Sequence, residues 1–244
     1  MARRAFTRVA ATSAAAIIMA ACASNSRRAD TPTTPMHNAL TQDERRNGWQ
    51  LLFDGSSTAG WHTYRMSSAT GWQVVDGELT TTGPGAGDLV TDRQFDSFEL
   101  TLEWKVPPNG NSGVFYWAHE ASEKIYENAP EMQILDNVGH RDGLSPLTAA
   151  GALYGLSPAP ITAARPGGEW NTVRIIVKGS KVEHFLNGVP TGKGDFDSDE
   201  LKALIAASKF NQWPTYGKSR RGRIGLQGDH GSVWFRNIYI RPLK

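Results

Sequence analysis

The chain has 244 residues, 39% hydrophobic and 20% charged, enough to bury a core in one domain or two small ones. Its 26 Lys and Arg against 24 Asp and Glu look basic only because Arg3, Arg4 and Arg8 sit at the N-terminus; without them 23 basic residues face 24 acidic ones, a net charge of −1. That balance, with no nucleic-acid motif and Lys218 to Arg223 as the one basic run, argues against DNA or RNA as a partner. The single cysteine, Cys22, excludes an intramolecular disulfide or a thiolate metal cluster within one chain.

Residues 1–21 combine a basic start, an apolar Ala/Ile stretch and small residues before Cys22, which predicts an export signal whose apolar run is too short to cross a bilayer. Met19-Ala20-Ala21-Cys22 resembles a bacterial lipobox, with Met19 where leucine is usual. Cys22 is therefore expected to be lipidated, anchoring the domain to the membrane in the cell envelope on the periplasmic side. Plain export with a free thiol is the alternative. Arg3-Arg4 followed by Ala5-Phe6 also resembles a twin-arginine signal. Residues 22–46, rich in Ser, Thr, Pro, Asn and Arg, read as a flexible tether, and 47–244 as one domain.

From Gly48 on, short apolar or alternating runs recur between Gly, Asn, Asp and Pro clusters, the pattern of an all-β sandwich or barrel. Strands are predicted at 72–75, 78–81, 98–106, 113–118, 131–135, 172–178, 181–186, 222–227 and 233–240. In Phe98 to Trp104 the apolar residues share one face, whereas Thr172 to Val177 is continuous enough to suggest burial on both sides. Tight hairpin turns are expected at Asp76-Gly77, Gly179-Ser180 and Asn187-Gly188. One short peripheral helix is predicted over Ser198 to Ser208, with Leu201, Leu204 and Ile205 at helical spacing behind a cap at Ser198 or Asp199.

The segment Glu131 to Leu135 carries the chemistry. Alternation puts Met132 and Ile134 on one face and Glu131 and Gln133, about 7 Å apart, on the other, where a carboxylate beside an amide suits sugar hydroxyls. A half-buried strand with a solvated polar face is the bland reading of the same pattern.

Several further stations make a resemblance. They are Trp49 to Gly55 with Gly60-Trp61, Asn111 to Phe115, Glu131 to Asn137, Ala150 to Tyr154, Gly168 to Asn171, Val182 to Gly188, Ser208 to Phe210, and Gly225 to Gln227 followed by Asp229-His230-Gly231. In number and order they resemble the 3-keto-disaccharide hydrolase domain family over Gly48 to Leu243. The resemblance implies a jelly-roll, concanavalin-like sandwich with a concave sugar-binding face, and as substrate an oligosaccharide or glycoside oxidised at carbon 3.

A ketone at carbon 3 acidifies the hydrogen on carbon 2. One base, one acid and one holder of the enolate oxygen then suffice for the aglycone to leave from carbon 1 and for water to add, giving net hydrolysis. The base candidates are Glu131, then His230 and His140; Lys209 is the enolate holder. Gln133, Asn111, Asn137, Asp136 and Gln227 are candidates for hydroxyl recognition, and Trp213, Trp117 and Tyr154 for stacking on a pyranose. A divalent metal drawing on Glu131, His140, Asp142 and His230 is the alternative to Lys209, although no compact ligand spacing exists. Asp54 reads as a structural turn. Because ordinary sugars lack an acidic carbon-2 hydrogen, a partner oxidoreductase that installs the ketone is implied. The competing functions are a noncatalytic carbohydrate-binding module and a glucanase-type hydrolase, which needs paired carboxylates where this strand presents one.

Overall fold

Alternating residues build the strands and the Gly-containing turns fold them back. In the computed structural model, which describes Met1 and residues 37–244, thirteen strands and two α-helices are found among the described residues. In chain order they are α1 (Gln42–Arg46), β1 (Gln50–Leu51), β2 (Trp61–Thr63), β3 (Trp72–Val75), β4 (Glu78–Thr81), β5 (Leu89–Thr91), β6 (Phe98–Lys105), β7 (Asn111–Ala118), β8 (Glu131–Leu135), β9 (Asn171–Lys178), β10 (Lys181–Leu186), β11 (Val189–Asp195), α2 (Asp199–Ala207), β12 (Arg223–Leu226) and β13 (Trp234–Pro242). The hairpin turns form where expected: Asp76 and Gly77, Gly179, and Asn187 and Gly188 all adopt positive φ.

Two antiparallel sheets pack into a jelly-roll sandwich. The larger runs β11-β10-β9-β6-β13-β4-β3 with β1 paired to β13, and the smaller runs β2-β5-β12-β7-β8. The core lies between them: Leu100, Leu102 and Trp104 of β6 and Val173, Ile175 and Val177 of β9 meet Val114 of β7, Met132 and Ile134 of β8 and Ile224 and Leu226 of β12. Each such aliphatic side chain contributes about 1.5–3 kcal/mol by leaving water. No helix among the described residues is long and apolar enough to cross a membrane.

Three expectations change. First, β9 is not buried on both faces: Thr172 and Arg174 point to solvent, and Arg174 holds Glu99 of β6 at 2.5 Å, so the outer face is an ion-pair surface. Second, β1, β2, β5 and β11 are absent from the predicted strands, three because they are only two or three residues long and β11 because Pro190 and its glycines belong on an edge strand. Third, the segment from residue 37, read as tether, packs on the domain. Asn38 and Asn237 exchange backbone-to-side-chain bonds of 2.7 and 2.8 Å, and the Asn38 amide donates to the Gly77 carbonyl at 2.8 Å. Cys22 and the expected leader lie outside the described residues.

Candidate active site

β8 pairs with β7 so that Glu131 lies opposite Phe115 and Gln133 opposite Gly113. Met132 and Ile134 enter the core, and Glu131 and Gln133 face outward, as alternation predicts. They are nevertheless only 9% and 3% exposed, because loops roof this face of the small sheet. The other edge of β8 is closed by residues 149–154: Gly151 N–H donates to the Gln133 carbonyl, Gln133 N–H to Ala152 and Tyr154 N–H to Glu131. That ladder sets Tyr154 beside Glu131.

The Glu131 carboxyl leans across β7 over Gly113. A Cβ at residue 113 would stand 2.1 Å from Glu131 Oε1, so only glycine leaves the carboxyl its place. Beyond Gly113, Gln227 N–H donates to the Gly113 carbonyl and brings the Gln227 side chain into the same cleft. The cleft, about 640 Å³, gathers Glu131, Gln133, Asn111, Tyr154, Lys209, Trp213, Gln227, His140, Asp142, Asp229 and His230, together with Tyr126 and Arg141. A smaller cleft of about 460 Å³ between α2 and the β10–β11 hairpin has its lysines and glutamates exposed and holds no buried carboxyl.

Electrostatics single out Glu131. Burial pushes its carboxyl up to about 8; Lys209 pulls it back in part, while Asp88 and Asp229 raise it further. Lys209 opens a short 3-10 turn after α2, and Ser208 caps that turn by accepting from Phe210 N–H at 3.1 Å. Its ammonium lies 4.4 Å from the centre of the Tyr154 ring. Asp88, whose charge acts on Glu131 although it does not line the cleft, is itself raised to about 7, first by burial and then by Asp229, with the Gly228 N–H opposing. Asp229 and His230 form a loose pair, Oδ1 to Nε2 at 3.6 Å, each about half exposed. Asn111 Oδ1 and Gln227 Oε1 are buried and find no hydrogen-bond partner among the described residues, which leaves both free to accept from a sugar hydroxyl.

Three sequence candidates do not reach the cleft. Trp117 is in the core: a bulge between β7 and β12 gives it φ 58°, its ring packs edge-on against Tyr116 and Phe196, and its indole donates to the Asp96 carbonyl. Asp136 pins loops, accepting from the backbone N–H of Asn109, Gly167 and Val138, and these bonds hold its carboxyl below the usual range despite the cost of burial. Asn137 accepts from Ala150 N–H at 2.8 Å and donates to Ile161 at 2.9 Å, which makes it the peg of the loop behind β8. His140 lines the cleft as the cap of a 3-10 turn, its Nδ1 accepting from Asp142 N–H. Among the described residues no three His, Cys, Asp or Glu side chains are arranged to hold a metal ion, so Glu131, His140, Asp142 and His230 do not make a ligand set. Asp54 closes a turn by accepting from Ser56 and Ser57 N–H.

Sequence reasoning missed Asp88, Arg141 and Tyr126. Asp88 adjoins the unpredicted strand β5, but its register was recoverable from the Gly225–Val90 and Leu226–Leu89 pairs only once the sheet was known. Tyr126 reaches the cleft through a 3-10 turn that no periodicity announces.

The 3-keto-alpha-glucoside-1,2-lyase-like domain model matches residues 48–241. A protein of Bacteroides thetaiotaomicron described as a 3-keto-disaccharide hydrolase is 36% identical over 230 residues, covering 81% of this chain and 79% of its own. A solved structure from Parabacteroides distasonis ATCC 8503, assigned to the glycosyl hydrolases, is 30% identical with a TM-score of 0.81 and covers 86% of this chain and 100% of its own. A galectin-like protein of Bacillus subtilis, 13% identical with a TM-score of 0.50 and covering 74% of this chain and 94% of its own, shares the sandwich alone. With residues 48–241 matched by the domain model and most of its length by the relative from Bacteroides thetaiotaomicron, the chain belongs to the 3-keto-alpha-glucoside-1,2-lyase-like domain family.

Proposed function

We propose that this protein cleaves glycosides whose sugar is already oxidised at carbon 3, with Glu131 as the base. Glycoside cleavage as the class of reaction is supported by the hydrolase relatives. The observation that carries the finer reading is the enclosed Glu131 carboxyl in the cleft that Lys209 also lines; burial pushes it up to about 8 and the Lys209 charge draws it back in part. A carboxylate that titrates near neutrality is a stronger base toward a C–H bond than an ordinary one, and a cation lining the same cleft suits a developing enolate.

In this reading ionised Glu131 takes the carbon-2 proton and the electron pair moves to the carbon-3 oxygen, held by Lys209. Return of that pair forms the carbon-1–carbon-2 double bond and breaks the bond from carbon 1 to the aglycone oxygen, which receives a proton from His230, a lining residue of the same cleft. Water then adds across the double bond, its hydroxyl to carbon 1 and a proton to carbon 2, giving the free 3-keto sugar. Gln133, Asn111 and Gln227 accept from or donate to the ring hydroxyls. Supply of the substrate requires an oxidoreductase acting on the parent glycoside, and we place the domain outside the cytoplasm on a lipid carried by Cys22.

The test is to incubate the purified domain with a 3-keto-glucoside and its unoxidised parent, with and without a chelator, and follow aglycone release. Release from the keto sugar alone, unaffected by the chelator, is expected. Release from the parent would make it a glucanase-type hydrolase, and binding without release a carbohydrate-binding module.

A further inference from the structure

The cleft runs along β8 and its two ends differ in chemistry. The turn Ile125–Glu127 leads through Asn128 to Pro130 directly into Glu131, so Tyr126 lies beyond the Glu131 end of the strand. His140 to Asp142 follow Leu135 and lie beyond the other end. With a rise of about 3.3 Å per residue, the strand between them is about as long as two sugar rings.

At the Glu131 end the cleft is aromatic. Tyr126 and Trp213 have ring centres 5.4 Å apart, and Trp213 is backed by Phe210 at 6.2 Å, which stacks on Tyr216 at 4.0 Å. The two loops are tied together, Thr215 Oγ1 donating to the Glu127 carbonyl at 3.3 Å and Gly217 N–H to the Asn128 carbonyl at 2.9 Å. Tyr126 keeps 37% of its surface exposed at the mouth, a large ring held open by a rigid frame. At the other end Gln133, Asn111 opposite Leu135, and Gln227 beside Gly113 supply the hydroxyl partners.

We propose that the Tyr126–Trp213 end is the subsite for the group leaving from carbon 1, and that it selects aglycones presenting a ring with an apolar face, such as a phenyl group or a second pyranose. This rests on the reading of Glu131 as the carbon-2 base. Carbon 2 must stand at Glu131, and the ring's hydroxyls are drawn to the polar end. The keto ring occupies the enclosed floor at Glu131, so the substituent on carbon 1 extends toward the mouth of the cleft, where the exposed ring of Tyr126 meets it. Rings stacked on a preformed aromatic surface gain from contact without ordering new side chains.

The experiment compares kcat/KM for 3-keto phenyl glucoside and 3-keto methyl glucoside in wild type, Tyr126→Ala and Trp213→Ala. In parallel, calorimetric binding of the unoxidised phenyl and methyl glucosides is measured, with thermal unfolding as a check of the fold. Wild type is expected to bind the phenyl compound about fivefold to tenfold more tightly. Either variant should lower the phenyl-to-methyl ratio of kcat/KM by a similar factor, through KM rather than kcat. An unchanged ratio in both folded variants, or equal binding of the two glucosides by wild type, would overturn the subsite. If wild type releases neither aglycone, the cleavage reading fails, and the binding arm alone then decides whether this end takes rings.

Discussion

A carboxyl group sealed from water resists ionisation, and a nearby ammonium partly restores it; the balance at Glu131 falls at about 8, with burial the larger influence. If Glu131 is the base, kcat/KM should climb with unit slope as pH rises and level off near pH 8; a profile flat from pH 6 to 9 would remove it from that role. Glu131→Gln should cut kcat by about a thousandfold while leaving binding of an unoxidised glucoside nearly intact. Lys209→Met has a more particular signature. Besides a loss of about a hundredfold in rate, it removes the one influence of the neighbouring charges that lowers the Glu131 carboxyl, so the rising limb of the pH profile should move to higher pH. A slower variant with an unmoved limb would mean that Lys209 acts elsewhere.

Strands and their neighbours decide whether such a group is held still. The bare surface of β7 at Gly113 is what gives the Glu131 side chain room to lie flat, and the backbone there needs no positive φ. Gly113→Ala should therefore leave the fold intact by circular dichroism yet displace the carboxyl, with activity falling toward that of Glu131→Gln; full activity in the alanine variant would show that the carboxyl works from another rotamer. The helix that leads to Lys209 is anchored in the main core through Leu201. Ser198 caps α2 by accepting from Leu201 N–H at 3.2 Å, and Ser198→Ala should cost about 1 kcal/mol in urea unfolding. The strand alternation, the three Gly turns and this cap were legible because each is a local steric or hydrogen-bonding preference. The bulge that turns Trp117 inward and the loop ties of Asp136 and Asn137 were not, because each depends on which distant backbone N–H happens to lie alongside.

For the molecule as a whole, the buried titrating groups tie stability to pH. Glu131, raised to about 8 from 4.5, and Asp88, raised to about 7 from 3.8, hold protons in the folded state that the unfolded chain has already released. Their contribution is therefore complete below about pH 4, declines steadily as the pH rises above the unfolded-state values and is fully lost once the pH passes the folded-state values of about 7 and 8. His184, buried between the Tyr116 hydroxyl and the Gly151 carbonyl and lowered to about 4 from 6.5, acts oppositely and only below pH 6.5. Between pH 6.5 and 8 the melting temperature should decline, and Glu131→Gln should flatten that decline; parallel curves in calorimetry would contradict the burial of the carboxyl. The N-terminal segment makes its own contribution. A chain starting at residue 47 loses the Asn38 bonds to Asn237 and Gly77, and should melt about 5 °C below one starting at residue 37. The sequence by itself determined the all-β class, the faces of most strands, the hairpins, the helix and, through ordered motifs, the family and most of the cleft residues, because side-chain alternation and turn chemistry are written in neighbouring positions. Tertiary structure alone decided that Glu131 is enclosed, that Tyr126 joins it in the cleft, that the Asp88 charge acts on it and that Trp117 stays in the core. Burial and proximity arise from sheets and loops brought together across long stretches of chain, and no local pattern encodes the pKa of a group whose surroundings come from five separate segments.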